Sequence, residues 1–198
     1  MHALVIGGSG RTGKLVVEEL LRKENHITAL VRNPAVIEMR DGLSIVKGTP
    51  TSRSRASDSP FAAPISPPRL MADCNTNVVT VMTEFGVKKV VILQAFGVGT
   101  SWPNMSCILR LLMSKSNMSY QYDDHNKTDR AIRTSGVTYV LVRPARLVDT
   151  DVLSTREWPY DGKGIPLMAT ASRKSVAKFL VDAATKDTWD DSGPVISN

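Results

Sequence analysis

The segment Met1-His-Ala-Leu-Val-Ile-Gly-Gly-Ser-Gly-Arg-Thr-Gly13, followed by Lys14-Leu-Val-Val-Glu-Glu-Leu-Leu21, decides the fold. Ala3 to Ile6 is a short apolar run, and Gly7, Gly10 and Gly13 follow at spacings of three. Leu15, Val16, Leu20 and Leu21 then recur at helical spacing. A buried strand, a glycine turn and a helix account for this order. Glycines let the backbone of such a turn approach a pyrophosphate closely, and the helix start offers free N–H groups and a positive dipole end.

The rest of the chain fits a parallel α/β architecture. His26 to Arg32 reads as a second strand, broken by Asn33-Pro34, with a short helical piece over Val36 to Arg40. Leu43 to Lys47 reads as a third strand closed by Gly48. From Leu70 a helix carries Met71, Val78, Val79, Met82 and Phe85 and ends near Gly86. Val87 to Leu93 is a strongly apolar strand, left through Gln94, Ala95 and Phe96. Ser101 to Asn104 reads as a turn, Met105 to Ser116 as an apolar helix, and Tyr120 to Ser135 as polar at first, then helical. Val137 to Arg143 is another strand, stopped by Pro144. Ala145 to Pro166 reads as irregular, Ser172 as the cap of a helix through Ala184, and Pro194 to Asn198 as a last edge strand.

One stretch breaks the pattern. Thr49 to Arg69 holds five of the eleven prolines and five serines, with neither strand nor helix period. A doubly wound sheet needs a helix and an apolar strand there. The expected fold is therefore a Rossmann-type doubly wound parallel sheet that lacks one helix–strand unit around residues 49–69, where an irregular insertion or a deletion scar stands instead.

Composition narrows the function. The chain has 198 residues and 42% hydrophobic residues, enough for one domain with a proper core. No apolar run approaches bilayer length, and no charged leader with a long apolar segment opens the chain, so a cytoplasmic protein without membrane contact is expected. Two cysteines, Cys74 and Cys107, make no disulfide framework. The net charge of +6 favours anionic ligands, but no basic helix is interleaved with aromatics, so nucleotide phosphate is a better partner than nucleic acid. No Cys/His spacing suggests a metal. At the end of the second strand an acid would bond the adenosine ribose, whereas an arginine accommodates a 2′-phosphate. That position holds Arg32, which points to NADP rather than NAD, and Arg11 in the glycine turn adds a second phosphate contact.

The motifs Gly7-Gly-Ser-Gly-Arg-Thr-Gly13, Leu30-Val-Arg-Asn-Pro34, Gly86-Val-Lys-Lys-Val-Val90, Asp123-Asp-His-Asn126, Arg133-Thr-Ser-Gly-Val137 and Leu141-Val-Arg-Pro144 occur in the order seen in atypical short-chain dehydrogenases. The chain resembles the NmrA-like, NAD(P)-binding group that includes biliverdin reductase B (flavin reductase). The resemblance implies a single NAD(P)-binding domain over residues 1–198, with NADPH at the glycine turn. It further implies hydride delivery to a small planar conjugated substrate of flavin, quinone, bilin or polyketide type. Fungal tailoring enzymes of secondary metabolism are one context of this kind.

The implied cofactor residues are Gly7, Ser9, Gly10, Arg11, Thr12, Gly13 and Arg32, with Ala95 and Phe96 beside the nicotinamide and Pro144 and Arg146 closing the same edge. Candidate catalytic residues are His125, Tyr122 and Gln94. Two departures qualify the resemblance. The Gly-Asp, helix and strand that the family places after its third strand are absent after Gly48, and Gln94 replaces the usual Ser or Thr. Tyr122 is also one residue out of register for a Tyr-x-x-x-Lys pair with Lys127, which on a helix rotates it by about 100°. A non-catalytic dinucleotide-binding regulator with a protein partner, or an inactive truncated paralogue, are the alternative readings.

Overall fold

The computed structural model describes residues 1–50, 69–114 and 118–198. Strands β1 (His2–Ile6), β2 (His26–Val31) and β3 (Leu43–Lys47) lie parallel in that spatial order. Helix α1 (Arg11–Arg22) packs Val17 and Leu20 on Ile27, Ala29, Val31 and Leu43. The amphipathic repeat read from the sequence is therefore the inner stripe of α1.

The second half of the sheet has the order β4 (Lys89–Leu93), β5 (Thr138–Pro144), β9 (Val195–Ser197), β7 (Arg156–Trp158). β4, β5 and β9 are parallel, and β7 runs antiparallel to β9. Helices cover β5 on both faces. Val140 and Val142 pack against Val176, Phe179, Leu180 and Ala183 of α5 (Arg173–Thr185). Leu141 and Tyr139, pointing the other way, pack with Ile132 of α4 (Met118–Arg133) and Val79 of α2 (Leu70–Phe85). This is the continuous apolar strand expected where a parallel sheet is buried on both sides.

The two half-sheets share one helix layer. α1 and α5 pack side by side. Val16 of α1 touches both core clusters, and Val181 of α5 joins the cluster under β2. No strand among the described residues pairs with the outer edge of β1 or of β4. The face of β1 away from α1 is open: Leu4 is 59% and Ile6 is 40% exposed. An inner strand of a complete doubly wound sheet would bury both residues. The Pro/Ser-rich stretch 49–69 itself lies, apart from its ends, outside the described residues.

Several local expectations are corrected. The helical piece after β2 is a single 3₁₀ turn over Pro34–Val36, initiated by the Asn33 side chain accepting from the Ala35 N–H, rather than Val36 to Arg40. Gly99–Asn104 forms a 3₁₀ turn, and α3 follows over Cys107–Ser114. α4 is helical from Met118, not only in its second half. Ala145 to Pro166 is not wholly irregular: it contains β7 and also β6 (Arg146–Val148), which pairs in parallel with β8 (Thr170–Ser172). β9 is interior rather than an edge, because Arg143 and Ala145 donate to Pro194 and Ile196 on one side while β7 pairs on the other.

The expected cap of α5 is present. The Ser172 hydroxyl accepts from the Lys174 N–H at 3.2 Å and donates to the Thr150 carbonyl at 2.6 Å. Such a cap contributes about 1 kcal/mol. No helix among the described residues is long and apolar enough to cross a membrane.

Candidate functional site

The carboxyl ends of β1 and β2 meet at the glycine turn. Gly7 adopts φ +79°, its N–H donates to the Leu30 carbonyl at 3.3 Å, and its carbonyl accepts from the Gly10 N–H at 2.9 Å. Gly10 is the N-cap of α1, and no side chain caps the first turn. The first N–H groups of α1 are thus left for a ligand. Gly13 packs so closely that a Cβ there would lie 2.1 Å from the Gly7 oxygen. Gly13 thus serves the close packing of α1 on the turn, while a Cβ at Gly7 would meet nothing within 4 Å and one at Gly10 only the Gly7 oxygen, which leaves backbone open to a pyrophosphate there. Ser9 and Thr12 are half-buried, while Arg11 is exposed at the helix start. Arg32 stands just past β2, exposed, one residue beyond Val31, whose carbonyl accepts from Gly48.

At the carboxyl ends of β4 and β5 a second group assembles. Gln94 is buried: its amide N–H2 reaches the His125 carbonyl, and its oxygen accepts from Arg143 Nε, each at 3.4 Å. Ala95 and Phe96 are half-buried, and the Phe96 N–H donates to the Pro144 carbonyl at 2.9 Å. Pro144 is buried in β5, whereas Arg146 is exposed. Tyr122 and His125, both on α4, lie beside this group. The Tyr122 hydroxyl donates to the Phe96 carbonyl at 3.0 Å, and burial pushes its pKa up. Its proton is thus committed to the backbone, which makes it a poor acid for a substrate.

Burial also pushes the His125 imidazole below its ordinary value, and the nearby Asp124 charge opposes that shift. Nδ1 of His125 is buried and has no hydrogen-bond partner among the described residues. Asp124 in turn caps α2, its carboxylate accepting from the N–H groups of Met71 and Ala72 at 2.8 and 3.0 Å. A histidine held neutral in the fold makes stability acid-sensitive. As pH falls through the ordinary histidine value, about 6.5, the unfolded chain takes up a proton first. Stability is fully present above that value and is lost as pH falls towards the lower folded value. Thermal midpoints of the wild type should therefore decline between pH 7.5 and 5.5, and His125→Gln should remove part of that decline. Parallel profiles for the two proteins would contradict this account.

Three functional-site neighbours escaped the sequence reading. Arg143 is fully buried and Asp129 nearly so, and they are joined at 2.5 Å. Asp129 also accepts from Arg133 Nε at 2.8 Å. The third is Asp149, after β6, whose carboxylate is paired with Arg11. A charged residue inside the apolar run Val140-Leu-Val-Arg143 was the available signal for the first pair, because a buried charge requires a partner.

A groove of about 730 Å³ opens at the opposite, amino ends of β1 to β3, lined by Met1, His2, His26 and Leu43. It lies away from the glycine turn, at the end of the strands that parallel α/β sheets leave unused for ligands. A smaller cavity of about 220 Å³ runs along α1 from Gly8 and Lys14 to Val36, Ile37 and Arg40.

A strand, glycine turn and helix with bare first-turn N–H groups, set at the carboxyl end of a parallel sheet, define a dinucleotide-binding α/β protein. A family model described as NAD(P)H-binding matches residues 7–187, and the chain belongs to this NAD(P)H-binding family. Solved structures share the fold. The oxidoreductase YlbE of Lactococcus lactis matches with a TM-score of 0.76 at 14% identity, over 100% of this chain and 91% of that one. A short-chain dehydrogenase/reductase of Veillonella parvula, in complex with NADP, matches at 0.75 and 13% identity, over 100% and 94%. ChuY, an anaerobilin reductase of Escherichia coli O157:H7, matches at 0.74 and 14% identity, over 100% and 97%.

Proposed function

We propose that the chain is a single-domain NAD(P)H-dependent oxidoreductase that prefers NADPH and reduces a small planar conjugated molecule of flavin, quinone, bilin or polyketide type. The observation that carries the reading is the glycine turn: open backbone at Gly7 and Gly10, close packing at Gly13, and the exposed Arg11 and Arg32. Arg32 is the basis for NADPH over NADH, since a cation there suits a 2′-phosphate. The bound nicotinamide supplies the hydride. The protein's part is to seat the dinucleotide on the glycine turn and to border it with Gln94, Ala95, Phe96, Pro144 and Arg146.

The choice of substrate class follows from the proton inventory. Tyr122 is bonded to the Phe96 carbonyl, and His125 is buried and held neutral. Gln94 is no acid. A conjugated acceptor takes a hydride into its π-system and can draw its proton from water, so it suits a site without a dedicated acid. The same observation favours one second reading, a dinucleotide-binding regulator that does not turn over.

Fluorescence titration with NADPH and NADH, followed by steady-state oxidation of NADPH with FMN and with menadione, separates these. Binding with turnover supports the reductase, and binding without turnover supports the regulator. Absence of binding to either dinucleotide removes both. Arg32→Asp should weaken NADPH binding by about tenfold and leave NADH within a few-fold, a loss of roughly 1.4 kcal/mol specific to the 2′-phosphate. Equal losses for the two dinucleotides would remove the preference.

A further inference from the structure

Arg11 and Arg173 are each the first residue of a helix, α1 and α5, and these helices pack side by side. Their guanidinium groups meet on one carboxylate. Asp149 Oδ1 accepts from Arg173 Nη1 at 2.7 Å, and Oδ2 accepts from Arg11 Nη2. The two helix starts differ in one respect. Ser172 caps α5, whereas Gly10 leaves the first turn of α1 without a side-chain acceptor. An anion is therefore wanted at the α1 start, and the chain's own carboxylate sits at its edge.

We propose that Asp149 and Arg173 belong to the dinucleotide site in opposed roles: Arg173 is a second guanidinium for the pyrophosphate, and Asp149 holds both arginines until the cofactor displaces it. The proposal rests on the dinucleotide reading above. A carboxylate bridging two guanidiniums through its two oxygens offers the charge and geometry that a phosphate offers through two of its own. Arg173 is only 14% exposed, so its head is fixed in place, while the side chains of Asp149 and Arg11 are 59% and 71% exposed. Arg173 also holds the Asp149 carboxyl below its ordinary range, so it stays charged at any working pH. The Arg11 side of this bridge is exposed and contributes little to stability, and an arriving phosphate replaces the carboxylate on Arg173 with another anion, so the exchange costs little. Left in place, the same carboxylate repels the dinucleotide.

The neighbouring pair supplies a control. Asp151 accepts from Lys174 Nζ at 2.5 Å, is almost fully exposed, and touches neither Arg11 nor Arg173. Asp149→Asn should tighten NADPH binding about threefold to tenfold, with an unchanged thermal midpoint, whereas Asp151→Asn should leave affinity within twofold. In the Asp149→Asn background, Arg173→Gln should undo the gain. Unchanged or weaker binding by Asp149→Asn would overturn the proposal, as would an equal gain from Asp151→Asn or no effect of Arg173→Gln. If the wild type and Asp149→Asn both fail to bind NADPH, the dinucleotide reading falls and takes this inference with it. If the wild type binds, that reading stands whatever the variants show.

Discussion

Asp129→Ala is expected to destabilise the protein by about 3–5 kcal/mol, enough to leave much of it unfolded at room temperature. Arg143 is fully buried at the end of β5, with Nη2 on Asp129 at 2.5 Å, Nη1 on the Thr100 hydroxyl at 2.9 Å, and Nε on Gln94. Gly99 (φ +58°) comes so close that a Cβ there would stand 2.7 Å from Nη2. The guanidinium therefore has no route to water and no room to turn. Removing Asp129 leaves a buried charge with neutral partners only, and it also takes the carboxylate partner from Arg133, which keeps the Tyr139 hydroxyl.

Burial already pulls the Arg143 pKa down against the opposing pull of Asp129, yet an arginine does not neutralise in the working range. The cost appears as unfolding, not as a proton lost. Urea denaturation followed by circular dichroism measures it. The double variant Asp129→Leu/Arg143→Met should recover most of the loss, because apolar replacement of a whole buried pair is often neutral. A single variant within 1 kcal/mol of wild type would show that the pair is not structurally important.

This pair also shows why part of the site was unreadable in the sequence. Asp129 and Arg133 are four apart on α4, the spacing of an ordinary i,i+4 pair, and only the fold brings Asp129 to Arg143 of β5. By contrast, β3, α5 with its Ser172 cap, and the end of α2 at Gly86 are written in local chemistry, and they fall where the sequence puts them. β6, β7 and β8 have three residues each, too few for any periodicity to register. Their existence depends on partners far along the chain: Trp158 pairs with Val195 and Arg146 with Thr170.

Among the site residues, the glycine turn was legible because its conformation is local. The availability of Tyr122 and His125 was not, because spacing places a side chain on a helix face but does not say that its hydroxyl will meet the Phe96 carbonyl. The Pro/Ser-rich composition of 49–69 is legible in the sequence, but apart from its ends that stretch lies outside the described residues, and Leu4 and Ile6 of β1 are exposed.

Gly13→Ala tests whether the turn still serves its ligand. In the interior of a helix such a change ordinarily stabilises by roughly 0.5–1 kcal/mol, since alanine loses less backbone freedom. Gly13 lies within α1, so propensity alone predicts a gain. Packing predicts the reverse. The new Cβ would stand 2.1 Å from the Gly7 oxygen, 2.9 Å from its carbonyl carbon and 3.0 Å from Gly8 Cα. All three are backbone atoms, so no side chain can swing aside. The turn must open by more than an ångström, breaking the Gly10 N–H bond to the Gly7 carbonyl or lifting α1 off Ala29 and Val31.

Overpacking of this kind costs about 1–3 kcal/mol and outweighs the helix gain. A shift of that size also displaces the N–H groups at the start of α1, whose hold on a phosphate depends on their common direction. Gly13→Ala should therefore lose NADPH binding by at least about tenfold and unfold at lower urea. Affinity within twofold of the wild type, or a rise in stability, would show that the turn yields without cost and that the cradle is not built on this contact.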